Sequence, residues 1–143
     1  MESIENVKDC FDNSELLDIL AGCVFNPTLE RLKSRAEKYM KNPQTRIHAM
    51  KQNGRYIGII VLDISNPKQI EILDFAVRND LQNNGTGKKL IQFSKETFKP
   101  DAILAETDDD AVGFYRKVGF SVLPLGDKYD AGINRYLCTL AID

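Results

Sequence analysis

A strand that runs into a glycine-containing loop, and from there at once into a helix, is the most constraining feature of this sequence. Residues 70–77 are mostly apolar, as in a buried strand, and a helical pattern runs from Gly87 to about Phe98. The loop between them contains Gly85 and Gly87, which permit a tight turn and close approach of the backbone to another group. The helix offers N–H groups without intrahelical acceptors and the positive end of its dipole. The sequence therefore predicts a phosphate-binding site where this strand ends and this helix begins.

Length and charge limit the class of protein. The 143 residues are expected to form a single domain, residues 1–143. A net charge of −2 without a basic tail argues against nucleic acid as a partner. Residues 1–6 lack the apolar run of a secretory signal, and no stretch approaches the roughly 18 apolar residues of a membrane span. We therefore expect a cytoplasmic protein with no membrane partner.

The cysteines and the histidine do not form a metal-binding pattern. Cys10, Cys23 and Cys138 are far apart, and His48 is the only histidine. Zinc sites need clustered ligands of these types, so no metal is expected. The odd number of cysteines also disfavours a disulfide framework, and we interpret the thiols as small, mostly buried apolar side chains.

The hydrophobic periodicity predicts two helices followed by an alternation of strands and helices. The first helix follows the capping signal of residues 12–14, and the second is predicted to have Asn26 as its cap and Pro27 in its first turn. The later elements are predicted as strand 46–51, the hairpin turn Asn53-Gly54, strand 55–64, strand 70–77, helix 87–98, strand 103–106, helix 111–118, strand 120–123 and strand 135–142. This order predicts an α/β (α+β) fold with a mixed sheet and helices on its faces.

Two familiar phosphate-binding motifs do not match the glycine loop. Residues 85–88, Gly-Thr-Gly-Lys, resemble the end of a P-loop, but Gln82 occupies the first glycine position and Lys89 replaces the Ser or Thr. The dinucleotide fingerprint fails because Leu90 occupies its third glycine position. A plain glycine-rich turn into a surface helix stays open as an interpretation.

Two segments together resemble the GCN5-related N-acetyltransferase (GNAT) superfamily. Residues 82–87, Gln-Asn-Asn-Gly-Thr-Gly, are similar to its pyrophosphate loop, Gln/Arg-x-x-Gly-x-Gly/Ala. Residues 111–120, Ala-Val-Gly-Phe-Tyr-Arg-Lys-Val-Gly-Phe, are similar to its segment Ala-x-x-Phe-Tyr-x-Lys-x-Gly-Phe. The resemblance covers residues 46–123. It implies a mostly antiparallel central sheet with helices on both faces, a V-shaped split between the fourth and fifth strands, and an acetyl-CoA-dependent N-acetyltransferase.

The resemblance also implies where acetyl-CoA, the co-substrate, would lie. It would occupy the split between the strand that ends at Val77 and the strand that ends near Glu106, and its pantetheine arm would pair with the backbone of residues 75–77 as an added strand does. Asp108 stands where many members carry an asparagine that contacts pantetheine, and it is expected either to accept a pantetheine N–H or to cap the next helix. The implied cofactor-binding residues are Phe75, Ala76, Val77, Gln82, Asn83, Asn84, Gly85, Thr86, Gly87, Lys88, Asp108 and Tyr115.

Several of these side chains have two interpretations. The Thr86 hydroxyl would either donate to a phosphate or face water. Lys88 and Lys89 would either add positive charge near the pyrophosphate or be ordinary solvated residues. Tyr115 matches the family's candidate acid for the departing thiolate, and its alternative role is aromatic packing beside Phe114.

For the base that removes a proton from the amine, Glu71 is the first candidate, because its spacing before the end of its strand matches the glutamate of histone-type members. Strand alternation is expected to place Glu71, Leu73 and Phe75 on one face and Asp74 on the other. A carboxylate in an apolar strand can have a raised pKa and reach an amine through water. Asp74, as a base or as an anchor for a cationic substrate, and Glu106 are the alternatives.

The resemblance leaves the acceptor open. It implies that the first two helices, the loop between them and the final strands form the acceptor wall. The predicted reaction is direct attack by a primary amine, of a small molecule or a peptide, in a ternary complex with acetyl-CoA. The alternatives are a CoA-binding regulatory module without chemistry, a longer acyl group, or transfer onto oxygen. A homodimer through the terminal strands is compatible with the family.

Overall fold

The computed structural model describes residues 1–78, 85–127, 132 and 134–142. Two 3-10 turns, Lys8–Cys10 and Ala21–Cys23, precede α1 and α2 respectively. The helices and strands of the described residues are, in chain order, β1 (Glu2–Asn6), α1 (Ser14–Leu20), α2 (Leu29–Lys41), β2 (Thr45–Gln52), β3 (Arg55–Asp63), β4 (Gln69–Val77), α3 (Thr86–Phe98), β5 (Ala102–Asp108), α4 (Val112–Lys117), β6 (Ser121–Gly126) and β7 (Arg135–Ala141).

The strands form one mixed sheet in the order β1-β2-β3-β4-β5-β7-β6. Every neighbouring pair is antiparallel except β4 and β5, which are parallel. The β4–β5 pairing extends only from Gln69 opposite Ala102 to Ile72 opposite Ala105, although both strands continue beyond it. The two strands therefore separate after Ile72, and the predicted fold class, including the split between the fourth and fifth strands, is confirmed.

Each face of the sheet carries its own hydrophobic core. On the α3/α4 face the buried side chains include Ile60, Ile72, Leu90, Ile103 and Tyr115. On the α1/α2 face they include Phe11, Leu16, Leu20, Ile47 and Ile59. Burial of each such Leu, Ile or Phe side chain stabilises the fold by roughly 1.5–3 kcal/mol. The two cores therefore hold the sheet, and with it the strands on both sides of the split, in a fixed position.

A β-bulge in β4 changes which side chains share a face. The β3–β4 register shifts at Leu73, which has no residue opposite it in β3. An extra residue of this kind reverses the alternation of side chains along the strand. Asp74 therefore contacts α2 and lies on the α1/α2 face together with Leu73, whereas Phe75 packs on the α3/α4 face. The prediction that Glu71, Leu73 and Phe75 share one face, with Asp74 on the other, is wrong for this reason.

The N-terminal part differs from prediction in two further places. The Thr28 side chain accepts the Arg31 N–H at 3.1 Å, so Thr28 rather than Asn26 caps the second helix. Asn26 instead has a left-handed backbone, with φ 49°. Residues 2–6, for which no strand was predicted, pair with β2 as an edge strand, and most of their side chains are exposed or half-buried.

Candidate active site

The C-terminal half of β4 presents its backbone to the split. The Arg78 N–H donates to the Ile57 carbonyl at 2.9 Å, which fixes the residues whose polar groups point toward β3. By the alternation of an antiparallel ladder, the amide and carbonyl groups of Phe75 and Val77 point away from β3, toward the split. The Phe75 carbonyl accepts the Cys23 thiol at 3.5 Å. This edge fits the backbone pairing expected for a pantetheine arm.

The start of α3 lies next to this edge. Gly85 precedes the helix with a left-handed backbone, φ 78°, which favours glycine, and its carbonyl accepts the first intrahelical bond, from Lys89, at 3.0 Å. The N–H groups of Thr86, Gly87 and Lys88 belong to the first turn, where a helix has no acceptor of its own for them. This arrangement fits a pyrophosphate group. The predicted ligands Gln82, Asn83 and Asn84 lie outside the described residues.

Gly87 has a packing role that the sequence did not reveal. A Cβ on this residue would lie 2.9 Å from Cζ of Phe75 and 3.0 Å from Cζ of Phe114. These two rings pack against each other with their centroids 5.2 Å apart. Glycine is therefore required here for the close approach of α3 to two aromatic rings at the split.

The polar side chains at the start of α3, Thr86, Lys88 and Lys89, have three different surroundings. Thr86 is only 1% exposed, and a Cβ on Gly58 would lie 3.0 Å from its methyl group, so the expectation that Thr86 faces water is wrong. Lys88 is exposed. Lys89 forms an ion pair with Glu2 of β1 at 2.8 Å, which gives Lys89 a structural contact away from the split.

Tyr115 of α4 lies on the α3/α4 face and is 6% exposed. Its ring centroid is 5.3 Å from that of Phe114 and 5.1 Å from that of Phe120, so the expected aromatic packing is present. Burial is the main cause that raises the pKa of Tyr115 above its usual range, and the negative charge of Asp74 adds to it. The phenol therefore stays protonated at ordinary pH and can act as a proton donor.

Glu71 lies on the α1/α2 face, one residue before the point where β4 and β5 part. It is paired with Asp63 of β3 and has Leu104 of β5 on its other side. Glu71 is exposed, yet desolvation between the neighbouring strands is the main cause that raises its pKa, and the charges of Asp63 and Glu106 raise the pKa further. Glu106 itself lies 3.9 Å from Arg135, measured between Oε1 and Nε. The pKa of Glu71 is thus shifted upward, as a general base that works near neutral pH requires.

Asp74, proposed from the sequence as a base or as an anchor for a cationic substrate, is already bound by two side chains of α2. Arg35 binds its two carboxylate oxygens through Nε and Nη2, both at 2.7 Å, and the Tyr39 hydroxyl donates to Oδ2 at 2.5 Å. The Asp74 side chain is 5% exposed. Its carboxylate is therefore occupied by partners from α2, which makes it a poor base and a poor anchor for a cationic substrate.

Asp108 lies in the turn before α4 and is not its cap, because Ala111 is the cap residue and no side chain caps this helix. Its Oδ1 accepts the N–H groups of Asp110 at 3.0 Å and Ala111 at 3.3 Å, which closes the turn before α4.

Over residues 1–78, 85–127, 132 and 134–142, no three His, Cys, Asp or Glu side chains are grouped as metal ligands. Within those same ranges, no helix has the length and apolar character needed to cross a membrane.

Comparison with known families identifies the chain. A model of the acetyltransferase (GNAT) domain matches residues 22–135, most of the sequence. The chain belongs to the GNAT acetyltransferase family. This GNAT protein is accordingly an acetyl-CoA-dependent acetyltransferase, and the predicted family, enzyme class and co-substrate are confirmed. Comparison with curated proteins gives no match.

Solved structures share the fold of this GNAT domain. An aminoglycoside 6′-N-acetyltransferase complexed with coenzyme A is 15% identical, with 99% of this chain and 97% of that chain covered and a TM-score of 0.81. An acetyltransferase of Bacillus subtilis in complex with CoA is 24% identical, with both chains covered completely and a TM-score of 0.76. An IAA acetyltransferase from Bacillus cereus ATCC 14579 is 26% identical, with 99% of both chains covered and a TM-score of 0.68.

Proposed function

We propose that this GNAT acetyltransferase transfers the acetyl group of acetyl-CoA to a primary amine, by direct attack while both substrates are bound. One observation carries the proposal. At the point where β4 and β5 part, Glu71, with a raised pKa, lies on the α1/α2 face, and Tyr115, which stays protonated, lies on the other face. A proton acceptor and a proton donor on opposite faces of the sheet, close to where the split begins, suit transfer from a thioester to an amine.

The groups proposed to bind acetyl-CoA lie on β4 and at the start of α3. The backbone of residues 75–77 would hold the pantetheine arm, and the first turn of α3, with Lys88 beside it, would hold the pyrophosphate. Bound acetyl-CoA would supply the acetyl group as a reactive thioester. Fixing that thioester next to the acceptor removes most of the entropic cost of bringing the two together.

Glu71 would take the proton that the attacking amine must lose, through a bridging water. An amine in water is mostly protonated, and a carboxylate with a raised pKa is a better proton acceptor than an ordinary one. Asp63 and Glu106 contribute to that raised pKa and also add negative charge around the same place. Glu71 and Asp63 therefore favour acceptors that are cationic when free, whereas Arg135 offsets part of the Glu106 charge.

Tyr115 would give its proton to the sulfur as the thiolate departs. The phenol is suited to this role because burial holds its pKa above the usual range, so it does not lose its proton to solvent first. Asp108 already accepts two backbone N–H groups through Oδ1, so a pantetheine N–H would have to bind its other carboxylate oxygen.

A small cationic amine is the acceptor class that these charges favour. The similarity to an aminoglycoside 6′-N-acetyltransferase agrees with such a class. Peptide amines are the second group within the same proposal. A cytoplasmic location and a homodimer through the terminal strands stay predictions.

The test is CoA release from acetyl-CoA with a panel of polyamines, aminoglycosides, amino acids and short peptides, with the product identified by mass spectrometry. We expect release that depends on one class of amine, and a product heavier by one acetyl group on nitrogen. Glu71→Gln should lower kcat by about 10²–10⁴-fold with unchanged affinity for acetyl-CoA. Glu96→Gln, which changes an exposed carboxylate on α3, is the matched control. Binding of acetyl-CoA without release for any amine would instead support a regulatory module.

A further inference from the structure

We infer that four side chains, Cys23, Arg35, Tyr39 and Asp74, form an anchor cluster that positions the acceptor side of the split. The inference rests on the proposed transfer to an amine. It concerns residues that the catalytic proposal does not use. Their hydrogen bonds join the segment of residues 21–39 to β4, close to the place where β4 separates from β5.

The first tie is made by α2. Arg35 and Tyr39 are four residues apart and therefore lie on the same side of the helix. Both bind the Asp74 carboxylate, Arg35 with two bonds of 2.7 Å and Tyr39 with one of 2.5 Å. Three hydrogen bonds to one nearly buried carboxylate fix the distance and the rotation of α2 relative to the strand.

The second tie is made one residue further along β4. Cys23, in the 3-10 turn before α2, donates its thiol to the Phe75 carbonyl at 3.5 Å. This carbonyl points toward the split, as argued above from the Arg78 bond. The Asp74 and Phe75 contacts are consecutive in sequence, and they hold both ends of the segment that leads from Cys23 to Arg35. The α1/α2 side of the split is thus fixed directly beside the edge that would receive pantetheine.

The bulge makes this arrangement possible. With regular alternation, Asp74 would point to the face opposite Leu73 and could not reach α2. The extra residue at Leu73 turns the Asp74 carboxylate to the α1/α2 face and the Phe75 ring to the α3/α4 face, where it packs on Phe114 beside Gly87. One local irregularity therefore exchanges the faces of two neighbouring side chains beside the split.

Three members of the cluster, Arg35, Tyr39 and Cys23, keep one charge state over the ordinary pH range. Hydrogen bonding to Asp74 is the main cause that raises the pKa of Arg35 above its usual range. Burial is the main cause that raises the pKa of Tyr39, and that of the Cys23 thiol to about 12. The cluster therefore contributes a fixed geometry and no proton to the reaction, which is the behaviour of positioning residues.

Steady-state kinetics of Asp74→Asn provide the first test. The change removes the charge that Arg35 binds and keeps the size of the side chain. We expect KM for the amine to rise about tenfold or more, because small displacements of a positioning wall cost much of the alignment. KM for acetyl-CoA should change less than twofold. Arg35→Lys, which keeps a cation opposite Asp74, should raise KM for the amine less than Asp74→Asn does. Ile47→Val, which removes a methyl from the same core and none of the hydrogen bonds of the cluster, is the control for general destabilisation.

The rate of labelling of Cys23 by a thiol reagent provides a second test that needs no acceptor. In a Cys10→Ser background, which removes the exposed thiol, we expect Arg35→Gln to accelerate labelling of Cys23 by about tenfold or more. The Arg35 charge lowers the pKa of that thiol, so its loss alone would slow labelling, and faster labelling reports opening of the wall. Ile47→Val should not accelerate it. Unchanged labelling in Arg35→Gln, or equal rises in both KM values in Asp74→Asn, would overturn the inference. If the wild-type protein acetylates no amine, the proposed function fails, and the labelling experiment still decides whether the cluster holds the wall.

Discussion

Asp63 and Glu71 lie directly opposite each other on β3 and β4, with their side chains on the same face of the sheet. Desolvation, the Asp63 charge and the Glu106 charge raise the pKa of Glu71 in that order. If Glu71 is the base, activity is present when it is ionised and is lost as the pH falls through its pKa. Removing a neighbouring negative charge makes ionisation of Glu71 easier.

The substitution Asp63→Asn should therefore move the acidic limb of the kcat/KM profile to lower pH. The measurement is the pH dependence of kcat/KM with one fixed acceptor, so that the ionisation of the amine is the same for both proteins. Asp12→Asn, which changes a carboxylate before α1, should leave the limb in place. An acidic limb that does not move in Asp63→Asn would argue against Glu71 as the base.

Tyr115→Phe should lower kcat by about 10²-fold or more and leave the affinity for acetyl-CoA unchanged, because the ring packing on Phe114 and Phe120 is kept. In the wild-type protein no alkaline loss of activity from Tyr115 is expected up to about pH 10, because its pKa is raised. The comparison is steady-state kinetics together with a binding titration. Tyr136→Phe removes an exposed hydroxyl that donates to Asp109 and serves as the control. Full activity in Tyr115→Phe would remove this residue from the proposal.

Gly87→Ala should destabilise the fold by about 1–3 kcal/mol, because the new methyl forces the Phe75 and Phe114 rings apart. The free energy of unfolding in urea measures this. Gly113→Ala is the matched control, since a Cβ there meets no atom within 4 Å and the residue lies inside α4. That control should stabilise the protein by about 0.5–1 kcal/mol. Equal stability of Gly87→Ala and the wild type would show that the rings do not restrict this position.

His48 should make the protein less stable in mild acid. It is 7% exposed beside the rings of Phe93 and Phe98, and burial, followed by the charge of Arg46, lowers its pKa. A folded pKa below the unfolded value of about 6.5 means that the unfolded chain binds a proton first, so stability falls as the pH decreases below that value. The free energy of unfolding of His48→Gln should depend less on pH between 7 and 5 than that of the wild type. Parallel pH dependence in the two proteins would contradict this.

The parts of the fold that depend on local signals were predictable from the sequence. Asn53 and Gly54 both have positive φ, 52° and 79°, as their hairpin turn requires. Asn13 caps α1 by accepting the Glu15 N–H at 2.8 Å, and Gly119, with φ 102°, follows the end of α4. In each case the conformation is determined by the residue itself and its immediate neighbours.

The remaining features depend on partners distant in the sequence. The bulge at Leu73 is a property of the β3–β4 pair, and β1 exists because its mostly polar residues pair with β2. Arg35 and Asp74 are 39 residues apart, so no local pattern joins them. One signal was present, since a carboxylate inside an apolar strand needs a partner to be buried. The sequence did not indicate which cation provides it.

The central claim is that CoA binds in the split with its diphosphate at the start of α3. The most direct measurement is a calorimetric titration of the wild-type protein, Gly85→Val and Gly113→Ala with desulfo-CoA. Gly85 has the left-handed backbone that a branched side chain resists, so Gly85→Val should bind at least about tenfold more weakly, whereas Gly113→Ala should bind as the wild type does. Absence of binding heat in the wild-type protein, or equal affinity in Gly85→Val, would contradict the account.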